Sequence, residues 1–271
     1  MNLLAQMLKE SEPLVVRTTE LNKKDHGSLL CYPGADLSSF EGRVKQLKKI
    51  GVSELILEGS SKIGRFGIVG KGCVSVVVRA TLETEKEPSA LKIRRADANR
   101  VDMKRDHEFQ LVANSVGVGP RAISVTKDLF AMEYVEAVKL GTWTQSLNLR
   151  TSKRFTRSLI RNVLEQCFRL DSSGLDHGEL SNPTKHVLVG INPRSPKTTI
   201  IDYESASTSR RVSNLTAVAQ FFLLGGWQSE RIRKIIGISG ISTPELIRLL
   251  RKYKESSTRE SFEALLDYIG C

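Results

Sequence analysis

Apolar residues fall into short alternating runs in the first half of the chain and recur every three to four positions in the second. In "SSFEGRVKQLKKIG" Val44, Leu47 and Ile50 form a helical stripe. Ser38 with Glu41 three residues on has the form of a capping box, and Gly51 suits the position just past a helix end. The pattern predicts a helix over 39–50, followed by a strand at "ELIL". "FGIVG", "CVSVVVRATL" and "SALKIRR" then read as three antiparallel strands. A helix is predicted at about 98–115, and "GPRAISV" and "LFAMEYVE" supply two more strands, giving a compact lobe of five strands and one helix.

Past Gly141 the period is helical. "FTRSLIRNVLEQCFRL" puts Leu159, Ile160, Val163, Leu164, Cys167 and Phe168 on one face, so these are core residues. Four more helical segments follow, the first opening at Asn214 and the third with Thr243 as N-cap and Pro244 at N1. Two stretches interrupt them, "DHGELSNPTKHVLVG" and "TTIID". The chain is thus expected to be α+β, with an N-terminal extension at 1–53, a β-rich lobe at 54–138 and a helical lobe at 139–271.

Composition narrows the classes. Four cysteines (Cys31, Cys73, Cys167, Cys271) with no CxxC pair support neither a disulfide framework nor a zinc knuckle. "MNLLAQMLKESEPL" meets polar residues too early for a secretory signal, and no apolar run approaches the roughly 18 residues of a membrane span. A cytoplasmic protein without a membrane partner is expected. The formal charge of +11 favours phosphate-bearing partners, although no RNA-binding signature with interleaved aromatics is present.

The chemistry begins at "VGKGCVSVVV". A Walker A loop needs a lysine that the best frame, Gly67 to Cys73, lacks, and a dinucleotide fingerprint must open a helix where this segment continues as a β-branched run. A glycine-rich hairpin remains, either an ordinary tight turn or one whose backbone N–H groups lie over phosphates. "ALKI" places Lys92 in a strand 20 residues after Gly72. A lysine pointing into a cleft needs a carboxylate. Glu108 is the first choice, with Asp106 and Asp102 as competitors. Asp202 leaves an apolar strand 23 residues after Glu179. A loop acid beside a strand-end acid is where a magnesium-bound triphosphate can be clamped while an acceptor hydroxyl is oriented.

With "LILEGSSKIG", "ALKIRRADANR", "GVGPR", "AMEYVE", "HGELSNPTKHV" and "IIDYESAS", the order of these motifs resembles a protein-kinase-like fold of the short, atypical Rio type. It is more closely similar to a family of predicted archaeal serine/threonine protein kinases, over most of the chain after about residue 40. The resemblance implies a bilobal architecture with a β-rich N-lobe carrying one helix and a reduced helical C-lobe. It further implies that Gly70 and Gly72 cover the phosphates of ATP, that Lys92 pairs with α/β-phosphate oxygens, and that Glu108 orients Lys92. Asp202 takes the magnesium-binding (or manganese-binding) position, Met132 is the gatekeeper, and backbone groups from Glu133 to Val135 meet the adenine.

The chain departs from that pattern in the quoted loop. Glu179 stands where such kinases keep a catalytic aspartate, and the usual magnesium-binding asparagine is missing. Asn182, Glu204 and His186 are the replacements considered, the two oxygen donors ranked above the imidazole, while Lys185 is placed on the γ-phosphate. His177 reads as a packed histidine at the loop base. Only 11 residues separate Asp202 from Asn214, too few for a long regulatory activation segment. The leading expectation is an ATP- and Mg²⁺-dependent kinase acting on protein Ser or Thr hydroxyls, itself included, with a small-molecule kinase as a variant. The alternatives are a nucleotide-binding pseudokinase, a module docking RNA or a ribosomal assembly through its basic surface, or a structural subunit.

Overall fold

The computed structural model describes residues 12–34, 36–148, 151–190 and 197–271. The fold class is mixed α+β. The chain forms two compact units: residues 12–111 with Pro120–Tyr134, and Val112–Gly119 with Val135–Cys271. The division falls at Tyr134, four residues before the expected boundary, because the residues that follow pair within the second unit.

The first unit contains β1 (Leu14–Arg17), α1 (Lys23–Leu30), α2 (Phe40–Lys49), β2 (Val52–Leu57), β3 (Ser61–Ile63), β4 (Phe66–Ile68), β5 (Gly70–Lys71), β6 (Ser75–Leu82), β7 (Ser89–Arg94), most of α3 (Lys104–Ser115), β8 (Ala122–Val125) and β9 (Leu129–Glu133). Its main sheet is antiparallel in the order β1-β2-β6-β7-β9-β8, with β5 paired to β6 and β3-β4 as a separate ribbon. Leu55, Val78, Leu91, Ile93, Leu129 and Ala131 are buried beneath Leu29, Leu30 and Leu47 of the two helices. A half-buried antiparallel face alternating with its outer face accounts for that choice of positions.

Residues 12–53 therefore do not stand apart as an extension. Val15 and Val16 pair with Ile56 and Leu55, so β1 forms one edge of the sheet. The weak apolar pattern there reflects an edge strand with one buried side chain, Val16. The Ser38–Glu41 capping box does not form: Ser38 bonds Asp36, and α2 begins after Ser39 without a side-chain cap. Gly51 does follow that helix, at φ +74°. The helix predicted from 98 begins at Lys104, whose N–H is taken by the Asp102 side chain at 3.1 Å.

A buried ionic cluster ties α2 to the sheet. Arg43, 1% exposed, donates to the Leu30 carbonyl and lies 3.4 Å from Asp128. Asp128 also accepts from Arg94 and Gln46 at 2.8 Å each.

The second unit holds β10 (Ala137–Lys139), α4 (Leu140–Ser146), α5 (Lys153–Ser172), β11 (Val187–Gly190), β12 (Thr198–Ile200), α6 (Asn214–Leu223), α7 (Gly226–Ile236), α8 (Thr243–Ser256) and α9 (Arg259–Ile269). The three strands form a small antiparallel sheet in the order β10-β11-β12. Leu159, Ile160, Val163, Leu164 and Cys167 of α5 are fully buried, as its 3.6-residue period requires, while Phe168 is half-buried and stacks on Phe262 at 4.9 Å. α6 starts at Asn214 as expected. The cap of α8 lies one residue earlier than predicted: Ser242 accepts the Glu245 N–H, which makes Thr243 the first helical residue. Trp143 in α4 is buried and Trp227 in α7 is 61% exposed. Among the described residues no helix is long and apolar enough to cross a membrane.

Candidate active site

In the first unit the site is built around β7. Lys92 pairs in register with Val77 of β6 and Phe130 of β9, and shares its face of the sheet with Ala90, Phe130 and Met132. Met103 from the chain before α3 packs on Phe130 and Met132. Leu91 and Ile93 are buried on the opposite face, so β7 is covered on both sides and Lys92 is only 6% exposed.

A lysine this deep is costly unless paired. Its carboxylate is Asp106, 3.2 Å away and itself 3% exposed, which also receives Arg100 at 3.0 Å. Glu108, the residue expected in this role, is exposed. Successive helical residues turn by about 100°, so residues two apart point roughly 200° apart, and Asp106 and Glu108 cannot share a face. The buried positions Met103, Asp106, Gln110 and Ala113 recur at helical spacing. That stripe was present in the sequence and would have selected Asp106, but its two polar members hid it.

The glycine-rich hairpin is formed by β5 and β6, closed by the Gly72 N–H on the Ser75 carbonyl at 2.9 Å. Arg95 donates to the Gly72 carbonyl at 2.9 Å, chelates Asp97 and lies over the Tyr32 ring. The glycines nearby differ in what requires them. Gly59 has φ +121°, and a Cβ there would sit 2.2 Å from the Ile68 carbonyl oxygen, so the fold itself demands glycine. A Cβ on Gly70 would meet nothing within 4 Å. Met132 is buried, whereas Glu133 is exposed and its N–H is already taken by Arg121.

In the second unit α5 delivers the quoted loop. Asp171, at the end of α5, accepts from the N–H groups of Asn214 and Leu215, the Asn214 amide and the Tyr253 hydroxyl. Asn214 in turn accepts the His177 N–H at 2.9 Å. The start of α6 is thereby fixed to the base of the loop. His177 is fully buried between the rings of His186 and Tyr203, with Nε2 3.0 Å from the Ile201 carbonyl. Burial pushes its imidazole down to about 4, so it is neutral and donates from Nε2. The packed reading of His177 therefore holds.

Above this base three groups stand in a row. Glu179 Oε2 is 2.9 Å from His186 Nε2, and His186 Nδ1 is 3.7 Å from Asp202 Oδ2. The other oxygen of Glu179 accepts the Ser205 hydroxyl. Asp202 leaves β12 with φ +74°, a left-handed turn rare outside glycine, and leads into the 3-10 turn Tyr203–Ser205 that carries Glu204. Such stored strain concentrates at functional sites. Arg210 joins the two sides: Nε reaches Asp176 at 2.8 Å and Nη2 the Ser205 carbonyl at 2.6 Å. At Gly178, φ +89°, a Cβ would lie 2.4 Å from that guanidinium.

The residue beside both Glu179 and Asp202 is thus His186, which the sequence ranked last. Asn182 is exposed and accepts from the Thr184 hydroxyl at 2.7 Å, and Lys185 is exposed. Ser205 and Arg210 were not foreseen, since neither stands in a recognisable motif. Compared with protein-family models and with curated proteins, the chain matches none.

Proposed function

We propose that the chain is an ATP- and Mg²⁺-dependent phosphotransferase of protein-kinase-like, Rio-type architecture, acting on Ser or Thr hydroxyls of proteins. The observation that carries this reading is Lys92, buried in a strand and held by Asp106. A buried charged pair contributes little net stability, whereas a fixed ammonium suits the phosphates of a nucleotide. Gly70, open where a side chain would stand, leaves room for the hairpin backbone to approach those phosphates.

Asp202 and Glu204 offer the hard oxygen donors that magnesium prefers. The ion would neutralise charge on the transferring phosphoryl group. Glu179, braced by Ser205 and His186, would orient the acceptor hydroxyl. The test is transfer of label from γ-labelled ATP, comparing the natural chain with Glu179→Ala, Asp202→Ala and Lys92→Ala. Protein-bound label that falls about 100-fold or more in each variant supports the reading, and a natural chain that transfers no label overturns it.

A second reading is nucleotide binding without transfer. It is favoured by the engagement of both Glu179 oxygens, one by Ser205 and one by His186, contacts that a catalytic carboxylate would have to share with its substrate. ATP binding that survives in Glu179→Ala, with no transfer by the natural chain, is its expected result.

A further inference from the structure

We infer that a concave basic surface on the N-terminal half of α5 is a binding site for a phosphate-bearing ligand. It lies wholly within the second unit and does not rest on the phosphotransferase reading. A cavity of about 500 Å³ opens there, lined by Lys153, Arg154, Arg157, Ser158 and Arg161 of α5 and by Gly270 at the end of α9. The four cations fall at helical spacings of one, four and eight, which place them along one side of α5.

Neighbouring groups do not use up this charge. Arg157 donates through Nε and Nη2 to the Ile236 carbonyl at 3.2 and 2.9 Å, and Arg161 donates to the Cys271 carbonyl at 3.0 Å. These contacts meet the C-terminal ends of α7 and α9, each worth roughly half a negative charge. Two helix ends therefore offset about one of four positive charges. The nearest acid, Glu263, is 3.8 Å from Arg161 and 2.5 Å from Arg259, which also pairs with Glu165 at 2.7 Å, so Glu263 offsets at most one further charge. Among the described residues no ion pair engages Lys153, Arg154 or Arg157. Even a further negative charge at Cys271 would leave the cavity cationic.

The backbone contacts hold two guanidinium groups in place while offsetting only part of the positive charge. Fixed guanidinium forks beside a lysine and the Ser158 hydroxyl match the geometry and charge of phosphate. The phosphate can come from a small phosphorylated molecule or from the backbone of single-stranded RNA.

The experiment titrates the full chain with inorganic pyrophosphate by calorimetry, and in parallel with a labelled oligouridylate. Lys153→Gln/Arg154→Gln removes two exposed cations that make no described hydrogen bond, so the fold is retained, as a thermal melt would verify. Lys48→Gln/Lys49→Gln on α2 removes the same net charge elsewhere. The site predicts pyrophosphate binding weakened about tenfold or more by the α5 double variant and unchanged by the α2 pair. A loss confined to the oligouridylate supports the same site with RNA as the source of phosphate. Equal weakening by both double variants, or no change with either probe, overturns the inference.

Discussion

Asp128 in the first unit and Asp171 in the second are both buried where elements of their unit meet, and the two are held by opposite means. Asp128 sits among cations: burial raises its carboxyl, but the hydrogen bonds of Gln46 and Arg94 and the charges of Arg43 and Arg94 together bring it below the usual range. Asp171 sits among neutral donors, and there burial wins. Hydrogen bonds from the Leu215 N–H, the Tyr253 hydroxyl and Asn214 do not prevent its carboxyl from rising to about 6. At Asp128 hydrogen bonds and opposite charge together outweigh the loss of hydration, whereas at Asp171 neutral hydrogen bonds alone do not.

The two acids therefore depend on pH in opposite directions. A depressed carboxyl contributes stability above its unfolded value of about 4, lost as the pH falls through its folded value. A raised carboxyl makes the folded state bind protons more tightly than the unfolded one. Its contribution is greatest below about pH 4 and is lost as the pH rises through 6.

The sharpest break of this contrast is Asp128→Ala, which strands Arg43 without its anion. A loss of about 3–5 kcal/mol is expected, read as a fall in the denaturant midpoint. Next is Asp171→Asn, which keeps the size and removes the titration. The fall in stability of the natural chain between pH 4 and 6, about 3 kcal/mol from this group, should flatten in the variant. An unaltered pH slope would mean that Asp171 ionises as it does in the unfolded chain. The smallest effect belongs to Tyr253→Phe, which removes one neutral donor from Asp171 at 2.9 Å. It should cost about 1 kcal/mol and move the midpoint of the pH profile upward, because the ionised form loses a partner.

The same contrast explains what could be read from the sequence. Regular periodicity made α5 and its buried face legible, and the start of α6 at Asn214 with it. Lys92 and Asp202 stand out in the sequence because each is a charge in or just after an apolar strand, a local anomaly visible without the fold. Partners were harder. Asp106 and Glu108 are equally plausible by distance along the chain, and only helix phase separates them. His186 meets Glu179 and Asp202 only because the loop folds back on β12. Arg43 and Asp128 are 85 residues apart, and Tyr253 and Asp171 are 82 apart. No local pattern records such pairings. β1 was missed for the same reason, its identity as a strand residing in β2.

Both tryptophans of the chain, Trp143 and Trp227, belong to the helical unit. Indole fluorescence is therefore a private optical channel: the buried ring is shielded from an aqueous quencher and the exposed one is open to it, while the sheet unit, with none, stays dark. Emission at long excitation wavelength would record the melting of α4–α9 alone. A far-ultraviolet signal recorded on the same sample would carry both units, and any gap between the two curves would show how far they unfold as separate bodies.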